Sequence, residues 1–97
     1  MLPGEATPTL VSGGAAAQLR QALENARQLL AAEGVTFDQV VKGTLFLTDV
    51  NDFAACNDVW VENFNPPRPT RSTIGVAALP FGGATAEVEL WAYAPKN

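Results

Sequence analysis

Between residues 15 and 33, apolar side chains recur every three or four positions, which is the spacing of one face of an α-helix. The recurring positions are Leu19, Leu23, Ala26 and Leu30. Gly34 follows them and suits the left-handed conformation in which many helices end. The pattern therefore predicts a first helix over residues 15–33. The preceding residues 1–14 are rich in Gly, Pro and Thr and are expected to form a loop.

Three later segments alternate between apolar and polar positions, as β-strands do. The first covers residues 35–49 and places Val41, Gly43, Leu45 and Leu47 on one face. The second covers residues 71–78. The third covers residues 85–93, where Glu87, Glu89, Trp91 and Tyr93 alternate with small and aliphatic residues. These segments are predicted to be the three strands of one sheet.

A second helix is predicted over residues 52–63, between the first two strands. Its apolar stripe consists of Phe53, Cys56 or Asn57, Trp60 and Phe64. Prolines in residues 65–69 end it, because the residue before a proline avoids the helical conformation. The three aromatic residues and Cys56 are expected to lie in the core.

The order helix, strand, helix, strand, strand indicates one two-layer α+β domain over residues 1–97. The first two strands should pair in parallel, because a helix connects them. Both helices are expected on one face of a mixed sheet. The other face would carry Phe46, Glu87, Glu89, Trp91 and Tyr93, a mixture more typical of an interface than of a solvated surface.

Composition excludes several kinds of chemistry. The chain of 97 residues has a net charge of −4, which disfavours nucleic-acid binding. It has no histidine and a single cysteine, so histidine-dependent catalysis and zinc sites of the usual spacing are excluded. We find neither a signal peptide nor an apolar run long enough for a membrane span, and expect a cytoplasmic protein that binds no membrane.

Two segments resemble the RidA (reactive intermediate deaminase, YjgF) family. They are RQALENARQLLAAEGVTFDQVVKGTLFLTDVNDFAACNDVWVENF and RPTRSTIGVAALPFGGATAEVELWAYAP, the second with Pro-Thr-Arg-Ser, Leu-Pro and Glu-Val-Glu in the expected order. The resemblance implies a chorismate-mutase-like fold and a homotrimer with ligand clefts between subunits. Family members carry two more strands ahead of the first helix, which this chain is expected to lack.

The resemblance also implies an activity, the hydrolysis of reactive 2-imino and 2-enamino acids to 2-oxo acids and ammonia. Arg71 matches the arginine that binds the substrate carboxylate, and Glu87 matches the acid that positions water or moves a proton. Thr73, where several relatives have cysteine, and Asn57, which matches a family asparagine, are further candidates for substrate binding. No metal and no organic cofactor is implied.

Alternatives remain at the level of sequence. Glu89 shares its strand face with Glu87 and could take its role. A non-catalytic module that binds small carboxylates in the same cleft is the second hypothesis for function. RNA binding or cleavage is a third, which the acidic composition disfavours.

The resemblance places the last strand beside the first, at residues 40–48, with its other edge open. Open edges in proteins are usually covered or paired. We therefore expect the backbone of residues 85–93 to find partners in residues 1–12 or in another chain, unless the protein begins further upstream.

Overall fold

A computed structural model describes residues 13–80 and 82–94. Two helices and three strands occur in the predicted order: α1 (Gly14–Ala32), β1 (Val40–Leu47), α2 (Phe53–Asn63), β2 (Thr70–Gly75) and β3 (Ala86–Ala92). Single 3-10 turns precede β1 and α2. Of the predicted N-terminal loop, residues 1–12 lie outside the described part of the chain, and the helix begins at Gly14, one position earlier than predicted. Gly34 has a φ of 74°, as its place after α1 requires.

The sheet has the strand order β2-β1-β3. Strand β1 pairs in parallel with β2 and antiparallel with β3, so the predicted mixed sheet is confirmed. The register places Gly43 beside Arg71 on one side and beside Leu90 on the other. Phe46 lies beside Glu87. These pairings determine which face of the sheet each candidate residue occupies.

Both helices cover one face of the sheet and enclose the core. Leu19 and Leu23 of α1 and Leu45 and Leu47 of β1 are inaccessible to solvent. Each fully buried leucine of this kind contributes about 1.5–3 kcal/mol to folding. Cys56 of α2 is also fully buried, as predicted for a core residue.

The start of β1 differs from the predicted alternation. Val41 was expected on the helix-covered face but is 58% exposed, whereas Val40 is buried. The cause is an irregularity in the pairing with β3, where Val40 opposes Ala92 and Lys42 already opposes Trp91. A bulge of this kind shifts the alternation by one residue.

The opposite face of the sheet is uncovered within the described residues and is rich in apolar side chains. Ile74, Trp91 and Tyr93 are 44%, 46% and 62% exposed. The ammonium of Lys42 lies 5.0 Å from the centre of the Trp91 ring. No helix in the described ranges is long and apolar enough to cross a membrane.

Strand β3 lies beside β1, as expected, and at the edge of the described sheet. Its entry is held by the side chain of Gln18, whose Oε1 accepts a hydrogen bond from the Thr85 amide at 2.7 Å. The Nε2 of the same Gln18 side chain donates a hydrogen bond to the Gly83 carbonyl at 3.3 Å. The predicted partners in residues 1–12 lie outside the described residues, so pairing along the rest of this edge stays a prediction.

Candidate functional site

Arg71 is the second residue of the edge strand β2, and its side chain lies on the helix-covered side of the sheet. Its guanidinium carbon is 5.2 Å from the centre of the Phe53 ring and 5.3 Å from that of Trp60, both on α2. Trp60 is 3% exposed and Phe53 is 40% exposed. The cation therefore contacts two aromatic rings at the margin of the core.

The guanidinium of Arg71 has unused donors. Its Nε and Nη1 are buried and have no hydrogen-bond partner in the described part of the chain. Burial lowers the pKa of Arg71 from its ordinary value, but arginine remains protonated at neutral pH. A buried donor without a partner costs about 1–3 kcal/mol, more when charged. A carboxylate, whose two oxygens match the guanidinium fork, would satisfy both donors.

Thr73 and Asn57 lie on the same side of the sheet as Arg71. Thr73 is two residues further along β2 and therefore shares its face. Asn57 lies on α2 between Phe53 and Trp60, four residues from one and three from the other, so all three project from one helix face. Both Thr73 and Asn57 are half-buried. Arg71, Thr73 and Asn57 therefore share the helix-covered side of the sheet.

Cys56 lies on the same face of α2 but is unsuited to nucleophilic chemistry. Burial raises the pKa of its thiol, and the nearby charge of Asp52 raises it further, against an opposing effect of Arg71. The thiol form is a poor nucleophile. Cys56 therefore belongs to the core.

Glu87 lies apart from these residues. It pairs with Phe46 and projects from β3 on the uncovered face, as Glu89 does. Arg71 and Glu87 are separated by one intervening strand and by about three residues along the sheet, which corresponds to roughly 14 Å between their Cα atoms. Within one subunit, the structure does not bring the two candidate catalytic residues to one ligand.

The aromatic contacts of Arg71 were not foreseen from the sequence, where Phe53 and Trp60 were assigned to the core. Trp60 does lie there, whereas Phe53 is partly exposed beside the cation. The sequence did contain one indication of this arrangement, because Phe53 and Trp60 are seven residues apart and therefore lie on the same face of a helix. The arrangement can bind a small anion with an apolar portion. No three Cys, Asp or Glu side chains of the described ranges are grouped to hold a metal ion.

Two helices lie on one face of a mixed sheet, and the edge strand bears an arginine with no ion-pair partner among the described residues. These features define a two-layer α+β domain with a candidate anion site. The sequence model of the family described as endoribonuclease L-PSP matches residues 2–94. The chain belongs to this family, which is also the RidA (YjgF) family, and its fold is the chorismate-mutase-like fold.

Curated relatives include proteins named 2-iminobutanoate/2-iminopropanoate deaminase. The protein of Capra hircus is 46% identical over 78 residues, which are 80% of this chain and 57% of the relative. The protein of Homo sapiens is 45% identical over 73 residues, 75% of this chain and 53% of the relative. The chain thus spans little more than half the length of these relatives.

Solved structures resemble the fold closely. RidA from the Antarctic bacterium Psychrobacter sp. PAMC 21119 gives a TM-score of 0.82 at 40% identity, covering 89% of this chain and 68% of the other. TdcF of E. coli, solved with bound serine, gives a TM-score of 0.79 at 34% identity, covering 89% and 69%.

Proposed function

We propose that this chain is a RidA-type deaminase that hydrolyses reactive 2-imino and 2-enamino acids to 2-oxo acids and ammonia without a cofactor. The observation that carries the proposal is the half-buried Arg71, whose Nε and Nη1 have no partner among the described residues. Several relatives also bear the name 2-iminobutanoate/2-iminopropanoate deaminase. The TdcF structure contains serine, a ligand that bears a carboxylate.

In this proposal Arg71 binds the substrate carboxylate. Two parallel hydrogen bonds from a guanidinium fix both the position and the plane of a carboxylate. The adjacent C2 carbon, which carries the imine, is thereby held at a fixed distance from the cation. Thr73 and Asn57 offer a hydroxyl and an amide for the polar part of the substrate.

Glu87 would supply the proton transfers. Water adds to C2 of the protonated imine, and the proton that it loses is accepted by the carboxylate of Glu87. Glu87 then delivers this proton to the amino nitrogen of the carbinolamine. The C2–N bond breaks and ammonia leaves, while the C2 hydroxyl gives its proton back to Glu87 and the C=O bond of the 2-oxo acid forms. An enamine first takes a proton on carbon to become the imine. An iminium carbon is already electrophilic, so general acid–base catalysis and positioning suffice.

A shared site between subunits would reconcile this chemistry with the geometry. Arg71 lies at the β2 edge, and Glu87 lies on the uncovered face near the β3 edge. A head-to-tail contact that places the β2 edge of one subunit against that face of the next would bring the two residues together. Head-to-tail contacts form a closed ring when the rotation from one subunit to the next is one third of a turn. We propose a homotrimer, in which each cleft combines Arg71 of one subunit with Glu87 of its neighbour.

The name of the matched family mentions an endoribonuclease, but the charge distribution favours a small anion over RNA. Of the few basic residues, Arg27 is paired with Glu24, and Arg20 lies 3.6 Å from Glu62. A surface that follows a phosphate backbone needs clustered, available cations.

The test is release of ammonia and 2-oxobutanoate from freshly generated 2-iminobutanoate, compared with the uncatalysed rate. The proposal predicts acceleration by the wild-type protein and little by the Arg71→Ala variant. A protein that binds 2-oxobutanoate but leaves the rate of release unchanged would instead be the non-catalytic binding module.

A further inference from the structure

The two aromatic contacts of Arg71 come from opposite ends of one stretch of α2. Phe53 and Trp60 are seven residues apart, which is two helical turns or about 10.5 Å along the axis. The Arg71 guanidinium carbon nevertheless lies 5.2 Å from one ring centre and 5.3 Å from the other, so the cation contacts both rings. Cys56 lies on α2 between these two residues, about one turn from each, and is fully buried.

Gly43 of β1 has no side chain, and this lets the buried ring of Trp60 approach the sheet closely. A Cβ atom on Gly43 would lie 2.5 Å from Cη2 of Trp60 and 3.2 Å from Cδ2 of Leu90. Gly43 is also the register partner of Arg71 on the neighbouring strand. Because Gly43 has no side chain, the indole of Trp60 packs directly against the sheet. It does so at the position next to Arg71 on the neighbouring strand.

We propose that Phe53 and Trp60 form an aromatic clamp that positions the Arg71 guanidinium for binding a carboxylate. The inference rests on the proposed function for its ligand, but the clamp itself is defined by the ring distances alone. Phe53 and Trp60 are positioning residues, because they are argued to act on the ligand through Arg71.

A clamp is needed because no polar side chain within residues 13–80 and 82–94 holds the cation. In the described ranges Arg71 makes no ion pair, and its Nε and Nη1 have no hydrogen-bond partner. A long side chain without fixed partners loses rotamer freedom on binding, which weakens affinity. Ring faces attract a cation without occupying its N–H groups. The clamp therefore restricts the guanidinium while it leaves the donors free for a ligand.

The clamp is tested with the 97-residue chain and four variants of it. Phe53→Leu removes the partly exposed ring of the clamp but keeps an apolar side chain, whereas Phe53→Tyr keeps an aromatic ring at this position. Phe37→Leu is the matched control, since Phe37 stacks on Phe64 at 4.8 Å and does not contact Arg71. Arg71→Met removes the cation and identifies the Arg71 Nε–Hε resonance by its disappearance from the NMR spectrum.

Two readouts are measured, the Nε–Hε chemical shift of Arg71 and the affinity for 2-oxobutanoate. We expect an upfield ring-current shift in the wild type that is reduced in Phe53→Leu and retained in Phe53→Tyr and Phe37→Leu. We expect Phe53→Leu to weaken 2-oxobutanoate binding about fivefold, which corresponds to about 1 kcal/mol. Phe53→Tyr and Phe37→Leu should bind as the wild type does.

Equal affinity of Phe53→Leu and the wild type, with binding lost in Arg71→Met, would overturn the clamp while the proposed function stands. An Arg71 Hε shift that does not respond to Phe53→Leu would also overturn it. Binding that is unchanged in Arg71→Met would contradict the proposed function, and the chemical shift would still decide whether the two rings hold the cation.

Discussion

Arg71 and Glu87 lie on opposite faces of the same three-stranded sheet. Arg71 projects from β2 toward the rings of α2, and Glu87 projects from β3 into the face that no described helix covers. The two residues therefore have different surroundings. Arg71 lies beside aromatic rings, and Glu87 lies on a face that bears exposed apolar side chains. A reaction that uses both residues therefore depends on the contact between subunits as much as on the fold of one.

Replacing Arg71 by alanine should weaken carboxylate binding. We expect KM for 2-iminobutanoate to rise at least tenfold, on the order of 1.4 kcal/mol. Arg71→Lys should recover little, because a lysine ammonium lacks the planar fork. Steady-state kinetics of both variants test this, and unchanged KM in both would remove Arg71 from the substrate site.

Replacing Glu87 by glutamine should lower kcat rather than raise KM. The amide keeps the shape of the side chain but cannot accept a proton, so a loss of about 100-fold is expected. The matched control is Glu89→Gln, on the same face two residues away. A larger loss in Glu89→Gln would transfer the proton-accepting role to that residue.

Replacing Gly43 by alanine should destabilise the fold. The new Cβ would lie 2.5 Å from the Trp60 ring, and such overpacking costs about 1–3 kcal/mol. Gly82→Ala is the control, because nothing lies within 4 Å of a Cβ at that position. Urea unfolding should show the loss of free energy for Gly43→Ala and a change below about 0.5 kcal/mol for Gly82→Ala. Equal stability of the two variants would show that Trp60 can move aside.

The sequence determined the elements better than it determined the site. The period of Leu19, Leu23 and Ala26 depends only on local helix geometry, and α1 follows it. The alternation at Val41 failed because a bulge depends on how two distant segments pair. The contact of Arg71 with Phe53 was not foreseen for a similar reason, since it arises from the packing of α2 across the edge strand.

The uncovered sheet face should mediate self-association. Ile74 on this face is 44% exposed, and an exposed apolar patch of this kind is typical of an interface. Light scattering should give a trimer of three 10.2 kDa chains, about 31 kDa. Ile74→Asp should shift the mass toward one chain. Val61→Asp, at an exposed position of α2, should leave the trimer intact. A wild-type mass near one chain at micromolar concentration would contradict this prediction.

The most direct test of a site shared between subunits is complementation of Arg71→Ala by Glu87→Gln. Each variant alone lacks one of the two residues in every site. After unfolding and refolding the two together in equal amounts, random assortment into rings should leave about a quarter of the sites with both residues intact. We predict that the mixture recovers about that fraction of the wild-type rate of ammonia release from 2-iminobutanoate. A refolded mixture that forms mixed trimers but is no more active than either variant alone would contradict the shared site.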